Sequence, residues 1–489
     1  MSLHIKTMAC NGWCRSCYEE KIRAADPDEF YNIEAMEKAL EERFKASSWK
    51  PSICIHGGEP LLLKDEDLER LFKKAYELKG CANIQTNLIS LSDFHISLFK
   101  KYKVSIGVSI DGDTAELNRG RWNAERKGRK LTDEEIQKAT DGVLRNMKRL
   151  KEAGLGLSVI LLLRKYNASA DKIEDLIRCL KRFRDEFGVS SFRTNEAIVF
   201  EPEWRKEEEL TGEELGKVYC RIADEVLSDP KCDWLPCRDI IDLLLGYKDS
   251  TCVFGTCDVW KSGSETTIMA DGSIGVCLKN GGAIDGMQIL EAETKGLERY
   301  DLLKQVPQDE LGCKDCKWWF ICMGGCPGAG VDNDWRNRTR FCEGWKMLYE
   351  YLSYKIKCLL PNARTVDEYY PARPDVSELL SSLTPGGSSW KRNKQKNKAV
   401  MPVAIKKVCE SDGHGDSHGD KAHADRAHGD SGGAGYQDGQ HGDVSHGDSH
   451  GDSSHGDSGY QDIVYKEISA TNRDHGDAPH GDHLDAGGR

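Results

Sequence analysis

Short apolar runs recur through the first half of the chain, each followed by a longer stretch whose apolar residues return every three or four positions. The runs are LHIKTMA (3–9), SICIHGG (52–58), NIQTN (83–87), VSIGVSI (104–110), LGLSVILLL (155–163) and SFRTNEAIV (191–199). Their length and near-continuous apolar character predict six buried strands. Residues 28–44, 66–79, 91–102, 133–154 and 171–188 carry the spacing of amphipathic helices. Strand and helix in alternation predict an α/β fold with a parallel sheet and crossover helices, here a partial (βα)6 TIM-like barrel. Folds of this kind place their chemistry at the carboxyl ends of the strands.

Beyond residue 245 the pattern changes twice. From 252 to about 358 the chain concentrates nine cysteines and many glycines, and regains helical periodicity only at EGWKMLYEYLSYKIK (343–357). This predicts a small metal-stapled domain. From about 373 come a Ser/Gly/Pro stretch, the basic run KRNKQKNK (391–398), and then little but Gly, His, Asp and Ser. The triplet HGD occurs nine times, beginning at His414, His418, His428, His441, His446, His450, His455, His475 and His480. Such a segment cannot bury a core and is expected to be disordered. The expected organisation is a core barrel at 1–245, a cysteine-rich domain at 246–360, a linker at 361–412 and a tail at 413–489.

The chain has 489 residues, with 69 basic against 81 acidic side chains and a net charge of −12. That length suits one large or two to three ordinary domains, and the acidic balance argues against a nucleic-acid partner held by a global positive field. No run approaches the ~18 apolar residues of a membrane helix, and MSLHIKTMAC lacks the apolar stretch of a secretion signal. The expectation is a soluble, cytoplasmic protein with no membrane partner. Nineteen cysteines in that compartment point to metal ligation before disulfides.

Cys10, Cys14 and Cys17 form CxxxCxxC directly after the first predicted strand. Three thiolates can hold three irons of a [4Fe-4S] cube and leave the fourth open to a small chelating ligand. On the residues alone, a zinc site or incidental cysteines stay open. Further motifs follow in order at successive strand ends: IHGGEP with Gly57, Gly58, Glu59 and Pro60, then QTN at Gln85, Thr86 and Asn87, then SIDG at Ser109, Ile110, Asp111 and Gly112. Glycines at such a turn let the backbone approach a ligand closely.

With these four motifs the first half of the chain resembles the radical S-adenosylmethionine (SAM) superfamily. The resemblance implies an enzyme in which Cys10, Cys14 and Cys17 hold a [4Fe-4S] cluster and the open iron binds the amino and carboxylate groups of SAM. It gives GGEP the amino group of SAM, and Asn87, Ser109 and Asp111 further cofactor contacts. Reductive cleavage of SAM then yields a 5′-deoxyadenosyl radical that removes hydrogen from an unactivated carbon. The family usually has an aromatic residue before the third cysteine; this chain has Ser16, with Trp13 or Tyr18 as substitutes. Arg119 and Arg121 either clamp the SAM carboxylate or lie in a solvated loop, and His56 reads as a packing residue.

The later cysteines are Cys252, Cys257, Cys277, Cys313, Cys316, Cys322, Cys326 and Cys342, in the pattern Cx14Gx4C, with Gly272 as the glycine, then CxxCx5CxxxCx15C. Eight ligands suit two fully ligated clusters, and the spacing resembles the SPASM domain of peptide-modifying radical SAM enzymes. That resemblance assigns Cys252, Cys257, Cys277 and Cys326 to one auxiliary [4Fe-4S] cluster and Cys313, Cys316, Cys322 and Cys342 to a second. A structural zinc site is the rival. Cys54, Cys81, Cys179, Cys220, Cys232, Cys237, Cys358 and Cys409 read as small buried hydrophobes or incidental thiols.

Anaerobic sulfatase-maturating enzymes share this layout, but their catalytic aspartate after the second cysteine of the Gx4C unit is Leu278 here, with Asp271 and Asp285 nearby. The resemblance therefore points first to maturation of a ribosomally made peptide by crosslinking or oxidation. Sulfatase maturation and haem or small-molecule modification are the alternatives, and a metal-storage or scaffold role is the non-enzymatic one. Only nine residues precede Cys10, so peptide recognition is expected elsewhere or through a separate protein. Flavodoxin or ferredoxin is the expected electron donor. The tail has three readings: a tethered substrate at roughly millimolar effective concentration, a metal buffer, since eleven of 14 histidines lie beyond residue 412, or a solvated extension.

Overall fold

All six predicted strands form in the computed structural model of the chain. They are β1 (Ser2–Lys6), β2 (Ser52–His56), β3 (Ala82–Thr86), β4 (Val104–Ser109), β5 (Leu157–Leu163) and β6 (Val189–Glu196), joined by three more: β7 (Trp234–Leu235), β8 (Glu265–Ile268) and β9 (Ile274–Gly275). The structure describes residues 2–7, 9–15, 17, 31–47, 50–125, 128–229, 231–246, 265–275, 299–363 and 365. The sheet order is β7-β6-β5-β4-β3-β2-β1-β8-β9. Every pairing from β7 through β8 is parallel, and β9 returns antiparallel on β8.

The helices are α1 (Ile33–Ala46), α2 (Asp65–Lys79), α3 (Asp93–Lys101), α4 (Asp133–Glu152), α5 (Lys165–Ala168), α6 (Ile173–Phe187), α7 (Pro202–Glu208), α8 (Gly212–Ser228), α9 (Cys237–Leu244), α10 (Arg299–Gln305), α11 (Trp319–Cys322) and α12 (Cys342–Leu359). The five predicted crossover helices are α1, α2, α3, α4 and α6. Their ends follow local chemistry. Asn32 accepts from the Ala35 N–H to cap α1, Thr132 and Glu135 close a capping box on α4, and α2 stops at Gly80 with φ 80°.

The strands differ from the expectation in one physical respect: their two faces are unlike. Leu3, Ile5, Ile53, Ile55, Ile84, Ile106, Val108, Val159 and Leu161 are buried beneath helix residues such as Met36, Leu40, Phe72, Phe99, Met147 and Phe183. Side chains alternate across a strand, and partners in parallel register share a face. The pairs His4↔Cys54, Lys6↔His56 and Cys54↔Asn83, with Gln85↔Gly107 and Ile160↔Arg193, therefore line the other face with polar groups. The sheet has an apolar face beneath the helices and a mostly polar opposite face.

Residues 265–275, read above as part of the cysteine-rich region, extend the sheet instead: β8 pairs along the free edge of β1. The helix predicted at 343–357 is α12, which crosses α8 where a side chain on Gly344 would run into the Gly212 carbonyl. Among the described residues no helix is long and apolar enough to cross a membrane. The tail, with the linker from residue 366, lies outside the described residues.

Candidate active site

Cys10, Cys14 and Cys17 follow β1, on the turn leaving its carboxyl end. The turn is fastened to residues 121–124 from both directions. Cys14 Sγ donates to the Arg121 carbonyl at 3.4 Å, Arg15 N donates to Asn123 Oδ1 at 3.0 Å, and Ala124 N donates to the Trp13 carbonyl at 2.6 Å. Trp13 is buried; Ser16 and Tyr18 lie outside the described residues. Gly12 leaves open the space the sulfurs face: a Cβ there would stand 3.3 Å from Cys10 Sγ and 3.9 Å from both Cys14 Sγ and Asn87 Nδ2. Among the described residues no three metal-ligating side chains are already arranged as a metal shell. Cys10 and Cys14 border that space, and with Cys17 three residues on they make a soft, thiol-only donor set that fits an iron-sulfur group.

GGEP turns out of β2 through two glycines in the left-handed region, Gly57 at φ 78° and Gly58 at φ 51°, where a side chain would strain the backbone. Thr7 Oγ1 donates to the Gly57 carbonyl. Pro60 opens a 3₁₀ turn capped by the Glu59 side chain. Glu59, buried, accepts from Leu61 N at 3.1 Å, Thr86 Oγ1 at 2.6 Å and Asn87 N at 2.6 Å. Loss of solvation raises its pKa to about 7 against the opposing effect of these donors. Its carboxylate thus ties the second strand end to the third, and only the turn's backbone remains for a ligand.

Asn87 Nδ2 donates to Asn11 Oδ1 at 2.8 Å and lies 4.0 Å from Cys10 Sγ, so QTN touches the cysteine turn directly. Gln85 Nε2 donates to Ser109 Oγ at 2.8 Å, linking QTN to SIDG. Asp111 is buried and accepts from Arg121 Nε and from Leu162 N, both at 2.9 Å, with Arg164 Nε at 3.5 Å. Burial opposes the charge of Arg121, but Asp111 and the thiols of Cys14 and Cys17 outweigh it and raise its pKa. Arg119 instead turns to an exposed pair with Asp133. His56 is held neutral, near pKa 3, by loss of solvation and by His4 and Lys6, which fits its reading as a packing residue.

A layer behind the motifs was not signalled by any spacing. Glu208, at the end of α7, bonds Arg15 Nε and Asn123 Nδ2 at 2.9 Å each and pairs with the buried Arg164. Asn118 receives the Asp111 N–H at 2.9 Å, and Asn167 Nδ2 donates to the Asp111 carbonyl at 3.0 Å. These residues are far apart in sequence and polar, and only the folded chain brings them together.

Of the second cysteine set, Cys313, Cys316, Cys322 and Cys342 line one cavity with Trp318, Trp319 and Lys346. Burial, with the neighbouring thiols adding, pushes Cys313 up to about 12 and Cys322 further; both keep their protons until a cation displaces them. Cys326 is outside that lining, and Cys252, Cys257 and Cys277, its expected companions, lie outside the described residues, as do Leu278 and Asp285. Asp271 is an exposed turn residue between β8 and β9, occupied by the Ser273 N–H at 2.9 Å. No disulfide forms among the described cysteines; Cys179, Cys232 and Cys237 are buried and Cys358 is exposed.

Residues 5–189 match the radical SAM superfamily model. Curated relatives include the cysteine-type anaerobic sulfatase-maturating enzymes of Clostridium novyi (strain NT), 21% identical over 70% of this chain and 91% of the relative, and of Clostridium perfringens (strain 13 / Type A), 22% identical over 72% and 96%. Among solved structures, native anSMEcpe with bound AdoMet superposes with a TM-score of 0.56 at 18% identity, covering 74% of this chain and 99% of that one. The same protein with AdoMet and Cp18Cys peptide gives 0.55 at 19%. The order of the four motifs, their meeting at the strand ends and these matches lead to one conclusion: residues 5–189 are a radical SAM domain, and the chain is an enzyme.

Proposed function

We propose that the chain is a SPASM-type radical SAM maturase that modifies a peptide or protein. The observation that carries this reading is the meeting of the cysteine turn with GGEP, QTN and SIDG through Asn87, Glu59, Gln85 and Arg121. When bound, the [4Fe-4S] cluster and SAM supply a 5′-deoxyadenosyl radical for hydrogen abstraction. Cys10, Cys14 and Cys17 would ligate that cluster, and the backbone of Gly57 and Gly58 would face the amino group of SAM. Arg121, neutralised by Asp111, orients the turn bearing Cys14. Cys313, Cys316, Cys322 and Cys342 would hold one auxiliary cluster, and Cys252, Cys257, Cys277 and Cys326 the other. The polar face of the sheet suits a hydrated peptide segment better than an apolar ligand, and the peptide named with bound anSMEcpe supports the same substrate class. Flavodoxin or ferredoxin would supply the electrons.

Sulfatase maturation is the second reading, favoured by the curated relatives and opposed by Leu278 where a proton acceptor is expected. The repeated HGD tail is the first peptide to test. Anaerobically reconstituted chain, given SAM and dithionite, is expected to release 5′-deoxyadenosine and lose hydrogens from HGDS units by fragmentation mass spectrometry, with Cys14→Ala inactive in both assays. SAM consumption with an unaltered tail removes the tail as substrate, and a zinc-loaded, SAM-inert protein removes the whole proposal.

A further inference from the structure

Arg299, the first residue of α10, is fully buried, and all five of its N–H donors end on main-chain carbonyls. Nε reaches Trp335 O at 2.7 Å. Nη1 reaches Met323 O at 3.4 Å and Gly325 O at 3.2 Å, and Nη2 reaches Gly324 O and Asn337 O at 3.0 Å. Among the described residues no carboxylate pairs with it. The acidic groups that bear on it are the Tyr300 phenol and the thiols of Cys326, Cys313 and Cys322. All are neutral while protonated, so among the described residues the guanidinium faces no compensating anion, an arrangement that a buried charge tolerates poorly.

Its position supplies the reason. The turn 323–325 that it grips is the chain between Cys322 and Cys326, and Gly324 lines the cavity shared by Cys313, Cys316, Cys322 and Cys342. A Cβ on Gly324 would lie 3.2 Å from Arg299 Nη2, so the guanidinium stands directly behind the cavity wall. Arg338 and Lys346, both half-buried, line the cavity itself; resting on the auxiliary-cluster reading above, we infer that Arg299 is the fully buried counter-charge behind the wall of that cavity and raises the reduction potential of its thiolate-held cluster. Each electron added makes a thiolate-ligated cluster more negative, and a fixed cation behind it favours the reduced state, so Arg299 raises the potential.

The test uses the full chain with Cys10, Cys14 and Cys17 each changed to Ala, so that only auxiliary iron is read, in an EPR-monitored redox titration. Arg299→Met and Arg299→Gln are expected to shift one auxiliary signal to a lower midpoint, while Arg299→Lys keeps it near the parent. Because the Met variant loses five carbonyl contacts and can misfold, Gln, which retains amide donors, carries the test in that case. A midpoint unchanged by loss of charge at full iron content overturns the role of Arg299 alone. An iron-free parent overturns that role together with the auxiliary-cluster reading, and is recognised by metal analysis before any titration.

Discussion

At Glu59, folding changes the proton affinity of a group that also carries structure. Its pKa rises from 4.5 to about 7, so between those values the folded chain holds a proton that the unfolded chain has released. The stabilisation is complete below pH 4.5 and is lost as pH rises through 7, about 3 kcal/mol from this group. Urea midpoints of the iron-free chain at pH 5 and pH 8 should show that fall, and Glu59→Gln should flatten it. The amide also presents an NH2 to one of the three donors, costing about 1–3 kcal/mol. Gly12→Ala acts on the other side of the turn: its methyl enters the space faced by Cys10 and Cys14. Iron at this site and 5′-deoxyadenosine formation should fall on the order of tenfold or more with an unchanged circular dichroism spectrum. Cysteine spacing and the glycine turn were legible in the sequence because both are local. Glu208, Asn118 and Asn167 were not, since nothing in a run such as RKEEEL distinguishes the carboxylates that turn inward, Glu208 and Glu209, from the exposed Glu207.

Among elements, α7 is a short brace whose last residue does the bracing. Removing that carboxylate in Glu208→Ala takes from the buried Arg164 its short ion pair, with Asp111 at 3.5 Å, and leaves Arg15 the exposed Glu207. A loss of about 3–5 kcal/mol is expected by chemical denaturation, with iron loading at Cys10, Cys14 and Cys17 falling in parallel. The crossing of α8 and α12 depends on missing side chains: a Cβ on Gly216 would lie 2.8 Å from Met347 Sδ and 2.9 Å from Gly344 Cα. Gly344→Ala should therefore cost about 1–3 kcal/mol, read as a lowered melting temperature. Strands β1 to β6 were legible because runs of five or more apolar-rich residues alternate with clear helical periods. β7 and β9 have two residues each and β8 four, too few for any period, and they exist because a neighbouring edge offers hydrogen bonds. The polar face was visible as His4, Lys6, Asn83 and Gln85 within apolar runs, but its meaning needed the register.

Across the whole molecule, two regions divide the expected redox work while sharing one sheet and one helix crossing. The chain lacking Cys10, Cys14 and Cys17 should retain iron and sulfide yet cleave no SAM, as metal analysis and nucleoside chromatography would show. The order of the sheet also bears on synthesis. β1 is made first but sits seventh in a row of nine, and the neighbour on one of its sides is drawn from residues 265–268. Until the ribosome has released more than half the polypeptide, that flank of the opening strand has no mate, and an unmated strand invites mispairing. The turn carrying the three thiols hangs from this strand, so metal insertion there belongs to the completed chain, and cells overproducing the protein should accumulate apo material that chaperones protect.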